Sequence, residues 1–284
     1  MEASQGRAGR CADGPSRRRL RARTAACMLA ACLMAASLVA AAGLGAAGRA
    51  TRIGSPAPRS PTPARLLTAG FTPRPWSGYA VRYQSSTGTN GDNYEASALF
   101  TVPTPICSSG ENGPETAFWV GIENPITPLS LVQDGFAVSC SNGQPTYQVW
   151  YLPSAWSDGV PQYLPNTVQA GDDIFAYVYT DPSGNYIEFL DDLTQKWYYW
   201  TQITGSAPGT DVAAVAAESF NGGVNFAPVA VTDAEVNDAP IAQSDIETDE
   251  QTPSIYNGTA GLDPSPLDSA TGMNFTFAWN GTPG

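Results

Sequence analysis

The 284-residue chain contains no histidine. That absence removes the usual general base of serine and cysteine hydrolases and the commonest metal ligand. No Gly-x-Ser-x-Gly elbow occurs, so a serine nucleophile would have neither its strained turn nor its base. A Walker phosphate loop is missing as well. Beyond residue 52 positive charge almost vanishes: Arg59, Arg65, Arg74, Arg82 and Lys196 stand against 24 acidic residues. So acidic a surface repels nucleic acid and anionic membrane. It also suits work in acid, where carboxylates protonate and self-repulsion fades. Cysteine is scarce, with only Cys107 and Cys140 beyond residue 52. Two cysteines without histidine are a poor basis for a metal site. In an oxidising compartment they form a disulfide; in a reducing one they remain buried thiols.

The positive charge is concentrated in the first 52 residues, which hold nine arginines against Glu2 and Asp13. Arg17-Arg18-Arg19-Leu20-Arg21 precedes an apolar stretch from Ala25 to about Leu44, and the small residues Ala46-Ala47-Gly48 follow. A basic head, an apolar body and a small-residue exit read as an export signal over residues 1–47, so the expected location is extracellular. Ser16-Arg17-Arg18 has the look of a twin-arginine signal. The alternative is a permanent anchor, since the apolar run is long enough to span a bilayer. Residues 48–70 read as a proline-rich linker or short pro-segment, built around Ser55-Pro56-Ala57-Pro58-Arg59-Ser60-Pro61-Thr62-Pro63. Residues 71–284 show no repeat and no further composition shift, which predicts one domain and a monomer.

Within that domain short β-branched and aromatic runs alternate with Gly, Pro, Asn and Asp. Strands are expected near 96–102, 116–122, 147–151, 174–180, 185–190, 196–202, 212–220, 226–231 and 274–279. Asp181-Pro182-Ser183-Gly184 supplies hairpin chemistry between two of them. Val212–Ala217 is also helical by propensity alone. Many short strands at regular spacing argue an all-β sandwich or barrel.

Two polar residues interrupt apolar runs. Glu218 ends Val212-Ala213-Ala214-Val215-Ala216-Ala217. As a strand residue it shares a side with Val212, Ala214 and Ala216. An acid there is costly unless paired or neutral, and such groups tend toward a raised pKa, the property of a general acid or base. The other reading is an outward-facing residue of an edge strand. Gln133 sits in Leu131-Val132-Gln133-Asp134-Gly135. Its amide can both donate and accept, so it either holds a water and an oxyanion or is a strand-end residue bonded to backbone. Glu123 is either a second site carboxylate or a loop residue. Trp76 and Trp119 either line a substrate cleft or pack in the core.

The order of the segments resembles the glutamic peptidases, or eqolisins. Trp76-Ser77-Gly78-Tyr79 is similar to their N-terminal Asn-Trp-Ser/Gly-Gly, Phe100-Thr101-Val102-Pro103 to their strand ending in Val-Pro, and Ala117-Phe118-Trp119-Val120-Gly121-Ile122 to their Trp-Val-Gly-Ile. Leu131-Val132-Gln133-Asp134-Gly135 resembles the segment that carries their dyad glutamine, and Ala216-Ala217-Glu218-Ser219-Phe220 falls where the dyad glutamate ends an apolar strand. Leu190-Asp191-Asp192-Leu193-Thr194 and Phe275-Thr276-Phe277-Ala278-Trp279 resemble an Asn-Leu-Thr turn and a closing strand of the family.

The resemblance implies a β-sandwich of two antiparallel sheets of the concanavalin-like jelly-roll kind, with a catalytic cleft on one concave face. It implies acid endopeptidase chemistry on polypeptide substrates, with no metal or cofactor. Glu218 would be general base and then acid, and Gln133 would position the water and stabilise the oxyanion. Trp76 and Trp119 would border the substrate, and Glu123 would stand where the family often has Asp. Two departures are visible. The family's Glu four residues before the dyad Glu is Ala214 here, and the Glu of its Tyr-Glu-x-Tyr-Pro segment is absent from Val149-Trp150-Tyr151-Leu152-Pro153. A non-catalytic sandwich that binds polysaccharide or peptide through its aromatics is the competing expectation. A glycosidase using Glu123 and Glu218 as a carboxylate pair is a third.

Overall fold

A computed structural model of the chain describes residues 76–82, 95–123, 131–153, 161–180, 185–204, 212–220, 222–242, 247–251 and 261–281. The expected export segment, the linker and the 181–184 turn lie outside the described residues. All described residues belong to one compact unit. They form strands β1 (Trp76–Arg82), β2 (Glu95–Thr101), β3 (Glu115–Glu123), β4 (Leu131–Ser141), β5 (Gln144–Leu152), β6 (Gln162–Tyr163), β7 (Asp173–Thr180) and β8 (Asn185–Asp192). The chain continues through β9 (Trp197–Thr204), β10 (Val212–Phe220), β11 (Val229–Val236), β12 (Ala239–Pro240), β13 (Glu247–Gln251), β14 (Leu262–Pro264) and β15 (Phe275–Trp279). No helix occurs among the described residues.

The strands make two antiparallel sheets. One has seven strands in the order β13-β1-β10-β3-β4-β5-β6; the other has eight, running β14-β15-β11-β2-β7-β8-β9 with β12 paired to β11. Alternation along each strand sends one set of side chains between the sheets. Phe118, Phe136, Val120, Val132, Val215 and Val81 come from the first sheet, and Phe100, Ile174, Val178, Leu190, Val231 and Phe277 from the second. Phe118 stacks on Phe136 with ring centroids 5.3 Å apart and meets Phe226 edge-on, also at 5.3 Å. Truncating any of these phenylalanines to Ala costs about 3–5 kcal/mol by loss of transfer energy and the cavity left behind.

The seven-stranded sheet is apolar on its outer face too. Trp76, Ala80, Ala117, Trp119, Ala137, Trp150, Leu152, Val212, Ala214 and Ala216 form a second buried cluster there. β10 is therefore buried on both faces. A strand of that kind reads as an unbroken apolar run rather than an alternation, which is why Val212–Ala217 also scores as helix by propensity. Pairing with β1 on one side and β3 on the other fixes it as a central strand.

Cys107 and Cys140 form a disulfide, with Cα atoms 5.7 Å apart, that ties the segment after β2 to β4.

Candidate active site

The register of β4, β3, β10 and β1 lays the outer face out in rows. Gln133 pairs with Gly121, Gly121 with Ala214, and Ala214 with Ala80. The next row on the same face is Gly135, Trp119, Ala216 and Gly78. The row after that is Ala137, Ala117, Glu218 and Trp76. Gln133, Trp119 and Glu218 thus occupy one diagonal of one face, with Trp76 beside Glu218.

The middle row is kept low by backbone crowding. A Cβ on Gly135 would lie 2.0 Å from the Phe118 carbonyl oxygen. A Cβ on Gly78, whose φ is +146°, would lie 2.2 Å from that of Val215. In this row the large side chains are Trp119 of β3 and, at the β5 end opposite Gly135, Trp150. The Trp119 ring meets that of Trp76 edge-on at 5.8 Å, and both rings are buried. They pack as aromatics of the outer-face cluster, beside the diagonal.

Gly121 makes room for the glutamine. A Cβ there would come within 3.0 Å of both the Gln133 Cβ and the Val132 carbonyl oxygen, and 3.1 Å from Trp119 Cζ3. Gln133 and Trp119 side chains therefore close over the glycine from two sides. Both are more than nine-tenths buried, at 7 % and 1 % exposure. Gln133 Oε1 and Trp119 Nε1 have no hydrogen-bond partner among the described residues. A buried acceptor and a buried donor left open each carry a desolvation cost that a bound polar group or water relieves.

Glu218 is half-buried at the end of its apolar strand, on the side expected from alternation. It lies four residues of strand rise and two strand spacings from Gln133, about 16 Å between Cα atoms on a flat sheet. Side chains stand roughly perpendicular to a sheet, so the register places the two groups on one face without bringing them into direct contact.

Glu123 is the last residue of β3, opposite Val212 and Leu131. Six residues of strand, roughly 20 Å, separate its row from that of Glu218. That is far outside the roughly 5–9.5 Å carboxyl spacing of glycosidase pairs, so the register rejects the glycosidase reading. Glu123 also stands two positions beyond the Gln133–Gly121 row, at the far end of the diagonal from Glu218.

Two further acids were not singled out from the sequence. Asp134, next to Gln133, points inward between the sheets, as does Glu188 of β8, and neither is exposed to solvent. Burial pushes both carboxyls well above their ordinary range, and for Asp134 the charge of Glu188 adds to the effect. The backbone N–H groups of Leu152 and Gln133 face the Glu188 carboxyl and oppose the shift, but no hydrogen bond of good geometry is closed on either oxygen. A signal for Glu188 was present: it alternates with Tyr186 and Leu190 on one side of an otherwise apolar strand.

A sequence model of the Peptidase A4 family matches residues 74–257. Among solved structures, scytalido-glutamic peptidase with a transition-state analogue inhibitor has the same fold. It superposes with a TM-score of 0.55 at 20 % identity, covering 72 % of this chain and 97 % of that one. SCP-B, a member of the eqolisin family bound to the tripeptide Ala-Ile-His, superposes with a TM-score of 0.53 at 21 % identity, with the same coverage. No curated protein sequence matches the chain. With the family matched over most of the chain and the two-sheet sandwich in place, the chain belongs to the Peptidase A4 (eqolisin) family and is a glutamic-type peptidase, a hydrolase acting on polypeptides.

Proposed function

We propose that the protein is a secreted, monomeric acid endopeptidase whose working groups are Gln133 and Glu218, sharing one water across Trp119. The observation that carries this reading is the diagonal itself. A buried amide with an open acceptor and a half-buried carboxyl lie on one outer face of the sheet, two strands and four residues apart. In the first step Glu218 takes a proton from the water as its oxygen attacks the scissile carbonyl carbon. Gln133 holds the water through Oε1 and donates from Nε2 to the developing oxyanion. Glu218 then returns the proton to the leaving nitrogen as the C–N bond breaks. No metal or cofactor enters any step. Trp119 Nε1 is a further donor toward the substrate, Trp76 walls the Glu218 end, and Glu123 is assigned to substrate binding at the opposite end.

Ala214 fits this scheme by leaving the Gln133 row without a carboxylate, so Glu218 carries the proton alone. The acidic balance beyond residue 52 and two interior acids that are neutral at low pH support operation in acid. The disulfide and the basic-then-apolar N-terminus support export to an oxidising compartment free of the cytoplasm. Once the export segment is removed no membrane or nucleic-acid partner is expected. The decisive experiment is casein or hemoglobin cleavage near pH 3 by Glu218→Gln and Gln133→Ala. Loss of turnover in both, with unchanged folding, supports the assignment; activity in either one rejects it.

A further inference from the structure

Behind Gln133 the two sheets reach into each other. Asp134 follows Gln133 on β4 and points inward, and Glu188 of β8 points back toward it; both are fully buried. Asp134 Oδ2 accepts a 2.9 Å hydrogen bond from the backbone N–H of Phe189, and the same carboxyl lies against the N–H of Tyr177. Phe189 and Tyr177 are register partners in the eight-stranded sheet. Glu188 does the converse. Its carboxyl lies against the N–H groups of Gln133 and Leu152, register partners in the seven-stranded sheet. Each acid thus braces a backbone pair of the opposite sheet, and one of the braced residues is Gln133 itself. Asp134 Oδ1 and both Glu188 oxygens close no hydrogen bond of good geometry among the described residues. A proton on the pair supplies the missing donor; without it two like charges share a low-dielectric interior.

Resting on the assignment of Gln133 above, we propose that Asp134 and Glu188 are positioning residues for the reaction: with a proton between them they hold β4 so that the Gln133 amide keeps its working place, and when both are ionised their repulsion parts β4 from β8 and the amide shifts. Neither acid touches the reacting atoms. They act through the main chain of Gln133, so the upper pH limit of turnover is set inside the sandwich and not by Glu218.

The surroundings leave the pair to its own charge. Asp134 is flanked in register by Val120 of β3 and Tyr151 of β5, and Glu188 by Val178 of β7 and Thr201 of β9. The other titratable groups on this side are Tyr186, two residues from Glu188 on β8, and Tyr199 of β9, whose ring packs on that of Tyr151. Burial pushes both of these phenols up, so they stay neutral. Of the described basic residues, Lys196 donates to the Leu193 carbonyl in the β8–β9 turn, and Arg82 belongs to β1, three places from β4 in its sheet. Burial raises both carboxyls, and the charge of Glu188 raises Asp134 further. The pair therefore keeps its proton in acid and gives it up as pH climbs past the ordinary carboxylate range. That puts the loss of Gln133 placement on the alkaline side of the activity profile.

Two measurements on the whole protein test this, both made well below the unfolding temperature at each pH. The first is the ratio of kcat at about pH 5 to kcat at about pH 3. Glu188→Gln keeps the shape and removes the charge, so it should raise that ratio by roughly fivefold to tenfold, the size of a shift of about one pH unit in the falling limb, with KM carrying none of the change. Asp134→Asn should act in the same direction. The second is the side-chain amide NMR resonance of Gln133, identified by its loss in Gln133→Ala. In a Glu218→Gln background, where residue 218 no longer titrates, this resonance should move between about pH 3 and pH 6 and should stay in place once Glu188→Gln is added. The proposal is overturned by a kcat ratio that Glu188→Gln leaves alone, by a Gln133 resonance that does not move with pH, or by one that still moves without Glu188. Turnover surviving in Glu218→Gln rejects the catalytic assignment instead, while the resonance still reports whether the acid pair governs Gln133.

Discussion

Asp134 Oδ2 accepts a 2.9 Å hydrogen bond from the backbone N–H of Phe189, which sets its carboxyl beside that of Glu188 inside the sandwich. The pair bridges β4 of one sheet and β8 of the other, directly behind Gln133. Both acids are excluded from water, and Asp134 Oδ1 and both Glu188 oxygens lack partners among the described residues. Two ionised carboxylates there would repel each other in a low-dielectric interior.

The first prediction follows from the sign of these shifts. Both pKa values are raised in the folded state above the ordinary 3.8 and 4.5. The folded protein therefore binds more protons than the unfolded chain once pH exceeds about 4. Stability is full below that point and falls as pH rises, by up to about 1.4 kcal/mol per pH unit for each proton retained. Asp192, buried and pushed up to about 6 with burial as the main cause, adds to the loss between 3.8 and 6. Thermal unfolding from pH 3 to 7 should show a steep decline in the wild type. Glu188→Gln should flatten it and raise Tm at pH 7. A wild-type profile that is level over this range would remove the pair as a stability determinant.

A second prediction concerns magnitudes at the site. Glu218→Gln keeps the shape and removes the proton carrier, so kcat should drop at least 10²–10⁴-fold. Gln133→Ala removes an oxyanion donor and a water holder and should cost about 10²–10³-fold in kcat. Steady-state kinetics near pH 3 with matched circular dichroism checks both. A change confined to KM would show that the two residues bind substrate without serving the chemistry.

Gly121→Ala tests the room beneath the glutamine. The new Cβ would meet the Gln133 Cβ and a backbone oxygen at 3.0 Å, so Gln133 must move by a few tenths of an ångström. Activity should fall by roughly tenfold, since small misplacements of a positioning group are expensive. Tm should change far less than for truncation of a core phenylalanine. Wild-type kinetics in this variant would mean that Gln133 placement is not limiting.

Removing the disulfide tests the frame. Cys107 and Cys140 are separated by 33 positions, and closing a loop of that size stabilises by about 3–4 kcal/mol in the chain-entropy picture. The double variant Cys107→Ser, Cys140→Ser should lower Tm by roughly 6–16 °C at low pH, converted at about 2–4 °C per kcal/mol for a domain of this size. An unchanged Tm would show that the cross-link adds little beyond the sheet it joins.

Much of the fold was legible. Strands expected at 96–102, 116–122, 174–180 and 212–220 appear as β2, β3, β7 and β10 within a residue or two, because β-branched and aromatic runs there end at Gly, Pro or Asp. The placement of Glu218 on the side of Ala214 and Ala216 was legible for the same reason, since alternation is a local property. β6, β12 and β14 were not, as two or three residues carry no period of their own, and β1, β4 and β13 were not among the expected strands either. Asp134 shows the limit at the site. Its neighbour Gln133 faces outward and it faces inward, so adjacent polar residues have opposite fates that only the sheet–sheet contact distinguishes.

By itself the sequence determined the chemistry available to this protein. Without histidine, and with carboxyls and amides set in apolar strands, proton transfer falls to an acid, and motif order indicates the family. Tertiary structure decided which groups meet. Register, a relation between strands distant along the chain, put Gln133, Trp119 and Glu218 on one diagonal and sent Glu123 to its far end. It also joined Asp134 to Glu188 across the sandwich. Local preferences fix which side of a strand a residue takes, but not its partner across the sheet, because that depends on how the hydrophobic faces of the whole domain close together.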